Sequence, residues 1–215
     1  MPIDEIYDPM DLVGFDRDVR HAYGELDLRW DTRRRASRWE PSTVRAAGSL
    51  VDAFAGRVAG WDGSADYWRY GLELQHDLRL AKGPRFLSTR VRVEGVTGAR
   101  DQVAFAELPT LGGGDFLRGY PFERFRDRVA AFGSLQYQWD LSHWVDAYLF
   151  TDVGRVFPSL DDLSLHQLRA GYGIGVEIHN DHSFLLEGDL ATSIDGGIFL
   201  SVAFNPILDA RTSWR

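Results

Sequence analysis

Apolar and polar side chains alternate with a period of two along most of this chain, the spacing at which successive strand residues face opposite ways. In HAYGELDLRW, Leu26, Leu28 and Trp30 share one face and Glu25, Asp27 and Arg29 the other. In DYWRYGLELQHDLRL, Trp68, Tyr70, Leu72, Leu74 and Leu78 oppose Arg69, Glu73, Gln75 and Asp77. RFLSTRVRVEG sets Leu87, Val91 and Val93 against Arg90, Arg92 and Glu94. RVAAFGSLQYQWDL sets Val129, Ala131, Leu135, Tyr137 and Trp139 against Arg128, Gln136, Gln138 and Asp140. In HWVDAYLFTDVG, Val145, Ala147, Leu149 and Val153 alternate with Trp144, Asp146, Tyr148, Phe150 and Asp152. LHQLRAGYGIGVEIH carries an unbroken apolar row from Leu168 to Ile178, whose other face holds three glycines, Glu177 and His179. HSFLLEGDLATS and GGIFLSVAFN continue the pattern to Phe204.

With a weaker, partly broken pattern over residues 43–57, these segments predict about nine strands. Several approach the roughly 9–11 residues of a tilted membrane-spanning strand. The connections between the last five are short, which makes them neighbours in an antiparallel meander. Residues 1–21 show no clear pattern, so the patterned unit is 22–215. Alternation alone does not say which face meets lipid, since a soluble barrel and a membrane barrel share it. Two features favour the membrane form. The strands are long and many, and their apolar faces end in rings such as Trp30, Trp68, Tyr70, Tyr137 and Trp139, as a lipid interface favours. The expected fold is all-β, an antiparallel meander forming part of a transmembrane β-barrel.

Composition narrows the function. The net charge of −8 argues against a nucleic-acid partner, which needs a basic face. With no cysteine there is no disulfide and no thiolate chemistry. No apolar run approaches the roughly 18–20 residues of a membrane helix. The opening MPIDEIYDPMDLVGF has early acids and no apolar core of a secretory signal.

One segment breaks the strand pattern. Residues 97–126 are far too long for a hairpin turn, yet Phe105, Leu108, Leu111, Phe116, Leu117, Tyr120, Phe122 and Phe125 call for burial. A loop that buries rings needs an interior to enter, and a wide barrel has one. Within it lies GGGDFLRGY, with Gly112, Gly113, Leu117, Arg118, Gly119 and Tyr120. Two strands later comes Phe150-Thr151-Asp152-Val153-Gly154, and five strand patterns follow the loop. This combination resembles the outer-membrane protein assembly factors of the BamA/TamA family, also called bacterial surface antigens, over roughly residues 22–205. Asp31-Thr32-Arg33 also resembles a family turn.

The resemblance implies a bacterial outer-membrane barrel of about sixteen strands, of which this chain matches the C-terminal part. It implies a non-catalytic role in inserting or translocating outer-membrane proteins, with lipid and unfolded client chains as partners. The missing barrel half or another chain would complete closure, and the last strand, near 197–205, would admit a client strand by β-augmentation. The loop motif would fold inward, with Arg118 neutralised by Asp152 of the strand motif Phe150, Asp152, Gly154. Glu177, with Glu187, is a spare acidic partner. Family members end on an aromatic strand, whereas here PILDARTSWR follows Phe204.

Other chemistry is weaker. His179-Asn180-Asp181-His182 and Asp161-Asp162 read as turn residues, so no metal and no cofactor are expected. The GYGIG glycines lack dinucleotide-binding spacing and read as room for the loop or a bend. A barrel that only binds a small ligand, and an inactive barrel fragment, are the competing readings.

Overall fold

A computed structural model describes residues 20–33, 47–61, 65–80, 85–99, 102–179 and 184–204. Eleven strands form: β1 (His21–Asp31), β2 (Gly48–Gly60), β3 (Asp66–Arg79), β4 (Phe86–Val96), β5 (Thr110–Leu111), β6 (Phe125–Arg126), β7 (Val129–Ser142), β8 (Val145–Phe157), β9 (Arg169–His179), β10 (Phe184–Ser193) and β11 (Ile198–Phe204). Nine of them make one antiparallel sheet, ordered β1-β2-β3-β4-β7-β8-β9-β10-β11. Each long strand pairs with the next long one in sequence, which the short connections predict for the last five. β5 and β6 form a separate two-residue ribbon inside the loop. Among the described residues the sheet is not closed: β1 and β11 are its edges. No helix among the described residues is long and apolar enough to cross a membrane, a fact that says nothing of strands.

The weak pattern at 43–57 resolves into β2, which starts at Gly48 and runs to Gly60. Its alternation is clear only from Leu50, where Leu50, Asp52, Phe54 and Val58 turn inward. Residues 1–19, the 180–183 part of the His-Asn-Asp-His run, and the tail 205–215 lie outside the described residues.

Register decides the ambiguity that alternation left open. Leu78, Leu87, Tyr137, Leu149, Ile174, Leu190 and Leu200 are partners in turn across seven strands, one apolar row on one face. Most of that row is exposed. The enclosed face carries Asp52, Glu73, Asp77, Gln136, Gln138, Asp146, Asp152, Glu177 and Asp189, all buried. A polar inside and an apolar outside is the arrangement of a barrel whose wall meets lipid. In water an apolar band that long would exceed the few hundred Å² a monomer usually leaves bare.

Glycines on both faces make room for rings on the adjacent strand, Gly173 and Gly175 on the inner face and Gly95 on the outer. Tyr148 lies over Gly175, Phe150 over Gly173 and Tyr70 over Gly95, each pair being register partners. A Cβ at any of these glycines would collide with the ring. The aromatic covers backbone that the glycine leaves bare.

Candidate functional site: the in-folded loop

The segment between β4 and β7 enters the concave side and covers β7, β8 and β9. Its docked part buries Leu111, Leu117 and Tyr120 with Ala130 and Phe132 of β7, while Phe116 and Phe125 pack at the border. Its first arm lays Leu108 on a second cluster of Val58, Tyr67, Val96 and Val103. Two of the expected rings are not buried. Phe122 is 78% exposed and Phe105 sits under Arg126 at the rim.

Arg118 makes the central contact. Its Nε donates to Asp152 Oδ2 at 2.8 Å and its Nη2 to Oδ1 at 2.9 Å, a bidentate pair. The Arg118 backbone N–H donates to the same carboxylate at 3.0 Å. Nη1 reaches Gln136 Oε1 at 3.2 Å and Nη2 also approaches Ser134 Oγ at 3.3 Å. Ser134 donates to Asp152 Oδ1 at 2.6 Å. The guanidinium lies 3.4 Å from the Phe150 ring centroid. Asp152 is fully enclosed, and the Arg118 side chain is 11% exposed. Burial opposes the charge on Arg118, but the Asp152 contacts outweigh it and hold its pKa above the ordinary value.

The strand motif is explained position by position. Phe150, Asp152 and Gly154 stand two residues apart, so all face inward. Phe150 supports the guanidinium and Asp152 neutralises it. A Cβ at Gly154 would press on Leu111 at 3.0 Å, so its absence admits the loop's leucines. Asp152 pairs laterally with Ser134 on β7 and Gly171 on β9. At Gly171 a Cβ would overlap the Arg118 carbonyl oxygen. Of the GYGIG glycines, Gly171 therefore makes room for the loop, while Gly173 and Gly175 make room for wall rings.

The backbone of the motif is bent to fit. Leu117 has φ of 62°, a left-handed conformation unusual for leucine, and is wholly buried. Such strain costs about 1–3 kcal/mol. Burying the leucine side chain returns about 1.5–3 kcal/mol, and a charged hydrogen bond from the next N–H adds about as much. Docking therefore outweighs the strain. Gly119 follows with φ of 90°, and a Cβ there would strike the Thr192 carbonyl, so no other residue suits. Tyr120 then donates to Asp195 Oδ2 at 3.0 Å in the β10–β11 turn, and Arg169 holds the same carboxylate at 2.9 Å. Gly112 and Gly113, also at positive φ, turn the chain back so that their N–H groups bond Phe116 and Tyr120 carbonyls.

Glu177 is not a partner of Arg118, contrary to expectation. It faces inward but pairs with Asp146, six residues from Asp152 along β8 and so about 20 Å away. Its carboxylate accepts from Gln138 Nε2 at 3.0 Å. Glu187 likewise accepts from Tyr148. Ser134, Gln136, Arg169 and Asp195 are members of the site that the sequence did not single out, whereas Gly171 lies in the GYGIG run read as room for the loop. Parity places Ser134 and Gln136 on the inner face, but only register brings them to Arg118. At the end of β1, in Asp31-Thr32-Arg33, Arg33 donates to Asp31, and Thr32 bonds Ser49 at the start of β2.

No family model and no curated protein matches the chain. A solved structure does. The chain is similar to the crystal structure of BamA from Haemophilus ducreyi lacking POTRA domains 1–3, with a TM-score of 0.66 and 15% sequence identity. The likeness covers 83% of this chain and 42% of that one. The fold is thus that of a portion of a BamA-like barrel, and the chain spans less than half of the BamA chain it matches.

Proposed function

We propose that this chain forms part of a bacterial outer-membrane β-barrel that helps insert or translocate other outer-membrane proteins, without covalent catalysis. The observation that carries the reading is the loop held inside the barrel wall by Arg118 on Asp152 and Phe150. A filled lumen with a charged, strained tip suits a positioned device better than an open pore. The apolar outer rows supply the lipid-facing surface. The edge of β11 offers backbone groups to an incoming strand, and β1 offers the other edge for closure by the rest of the barrel or another chain.

The test has two arms. The chain is folded into vesicles of outer-membrane lipid and challenged with an unfolded client barrel bearing a photocrosslinker. A crosslink to β11 that disappears in Arg118→Ala supports the reading. A chain that stays in the aqueous phase without detergent defeats the membrane assignment. A chain that enters lipid but never crosslinks is a passive barrel, the ligand-binding or inactive alternative.

A further inference from the structure

Phe116 stands two residues before Arg118 and is received by a different wall. Its ring centroid is 4.2 Å from the Arg92 guanidinium and 4.8 Å from that of Arg90, both on β4. Phe132 meets the ring edge-on, with centroids 5.6 Å apart and planes at 83°. The arginines are held in place by carboxylates on the same wall. Arg90 Nε and Nη2 donate to the two oxygens of Glu73 at 2.7 and 2.9 Å. Arg92 Nη2 donates to Glu94 at 2.7 Å, and its Nη1 stands 3.8 Å from Glu73. Arg69 extends the row by donating to Glu94 at 2.8 Å. The carboxylates take the guanidinium edges, which leaves the planar faces for a ring. Arg90 also reaches the Asp115 carbonyl at 3.5 Å, beside the ring it faces.

We propose that Phe116 is a second positioning residue of the loop, seated on the Arg90–Arg92 pair and acting separately from Arg118. Arg118 fastens the loop to β7 and β8, and Phe116 fastens it to β4. The loop is then braced on both sides of β7, and withdrawing it means releasing two unlike contacts. The seat recognises a π face as well as apolar bulk, because two cations face the ring. Plain packing on Phe132 would require only bulk. The proposal rests on the assembly reading solely for its effect on clients.

Phe116→Leu keeps the bulk and removes the ring, whereas Phe116→Tyr keeps both. The full chain is folded into lipid vesicles, heat-modifiable gel mobility confirms the barrel, and trypsin cleavage after Arg118 is timed. The leucine variant should be cut about tenfold faster than the original chain. The tyrosine variant should stay within about twofold. In an Arg118→Lys background, which keeps the trypsin site, the leucine factor should multiply rather than vanish. Leucine and tyrosine variants cut alike, or a leucine variant cut no faster than the original, overturns the seat. If the leucine variant gives no folded band, Arg92→Met probes the seat from the wall side. There, unchanged cleavage overturns it and faster cleavage supports it. Cleavage reports on the loop whatever the clients do. A failed client crosslink with altered cleavage sinks only the assembly reading, and the reverse pattern sinks only the seat.

Discussion

Without the Arg118 side chain, Asp152 would stay enclosed with Ser134 as its remaining polar side-chain partner. Breaking a buried pair by deleting one partner costs about 3–5 kcal/mol, far more than an exposed pair is worth. Arg118→Ala should therefore release the loop, seen as cleavage of residues 97–126 at much lower urea than in the original chain. Arg118→Lys should fall between, since one ammonium can neither fork onto both oxygens nor lie flat on Phe150. A second prediction uses space alone. Gly171→Ala should also free the loop, because its methyl would occupy the place of the Arg118 carbonyl oxygen. Gly188→Ala, whose methyl would meet the Ser201 carbonyl at an ordinary 3.8 Å, should leave protease resistance unchanged. At this scale Arg118, Phe150, Asp152 and Gly154 were legible because each belongs to a motif. Ser134 and Gln136 were not, since they reach the site through strand register. Glu177 shows the limit: alternation gives the face of a side chain but not its height along the barrel.

Strands were legible wherever one face was uniformly apolar, which held for β3, β4 and β7 to β11. β2 was blurred because its glycines and alanines weaken the contrast between faces. The outer face leads to a sharp prediction. Leu149, between Tyr137 and Ile174, is half exposed in the middle of the apolar rows. Leu149→Arg should cost about 2–4 kcal/mol of folding stability in a bilayer. The same change on a water-facing surface would stay within about 0.5 kcal/mol, so urea titration in vesicles separates the two. The loop also touches the last strand. A Cβ built on Gly114 would lie 3.9 Å from Ser201 Cβ, the separation found in disulfides. The chain has no cysteine, so Gly114→Cys with Ser201→Cys makes a single possible pair. Oxidation should yield a faster-migrating species on a non-reducing gel, tying loop to β11. If clients pair with β11, that species should lose the photocrosslink and regain it on reduction.

For the whole molecule, the order of the last five strands follows from their short connections, whereas β4 and β7 are neighbours across the long in-folded loop. Whether the sheet closes does not follow, because pairing of β1 or β11 depends on groups outside those strands. The lumen-facing row opposite the loop also became visible only through register. Asp140, Asp146, Glu177 and Glu187 are successive partners across β7 to β10, with Gln138 donating to both Asp146 and Glu177. The glycines of β9 give the wall a recess one side chain deep. Near Gly171 that recess is occupied by the loop itself. Once the loop lifts, the space it leaves runs over the Phe150 and Tyr148 rings toward this line of carboxylates, and water will flood it. A planar bilayer holding the closed assembly should then carry a cation-selective current that is small in the original chain and larger when Gly171→Ala keeps the loop out.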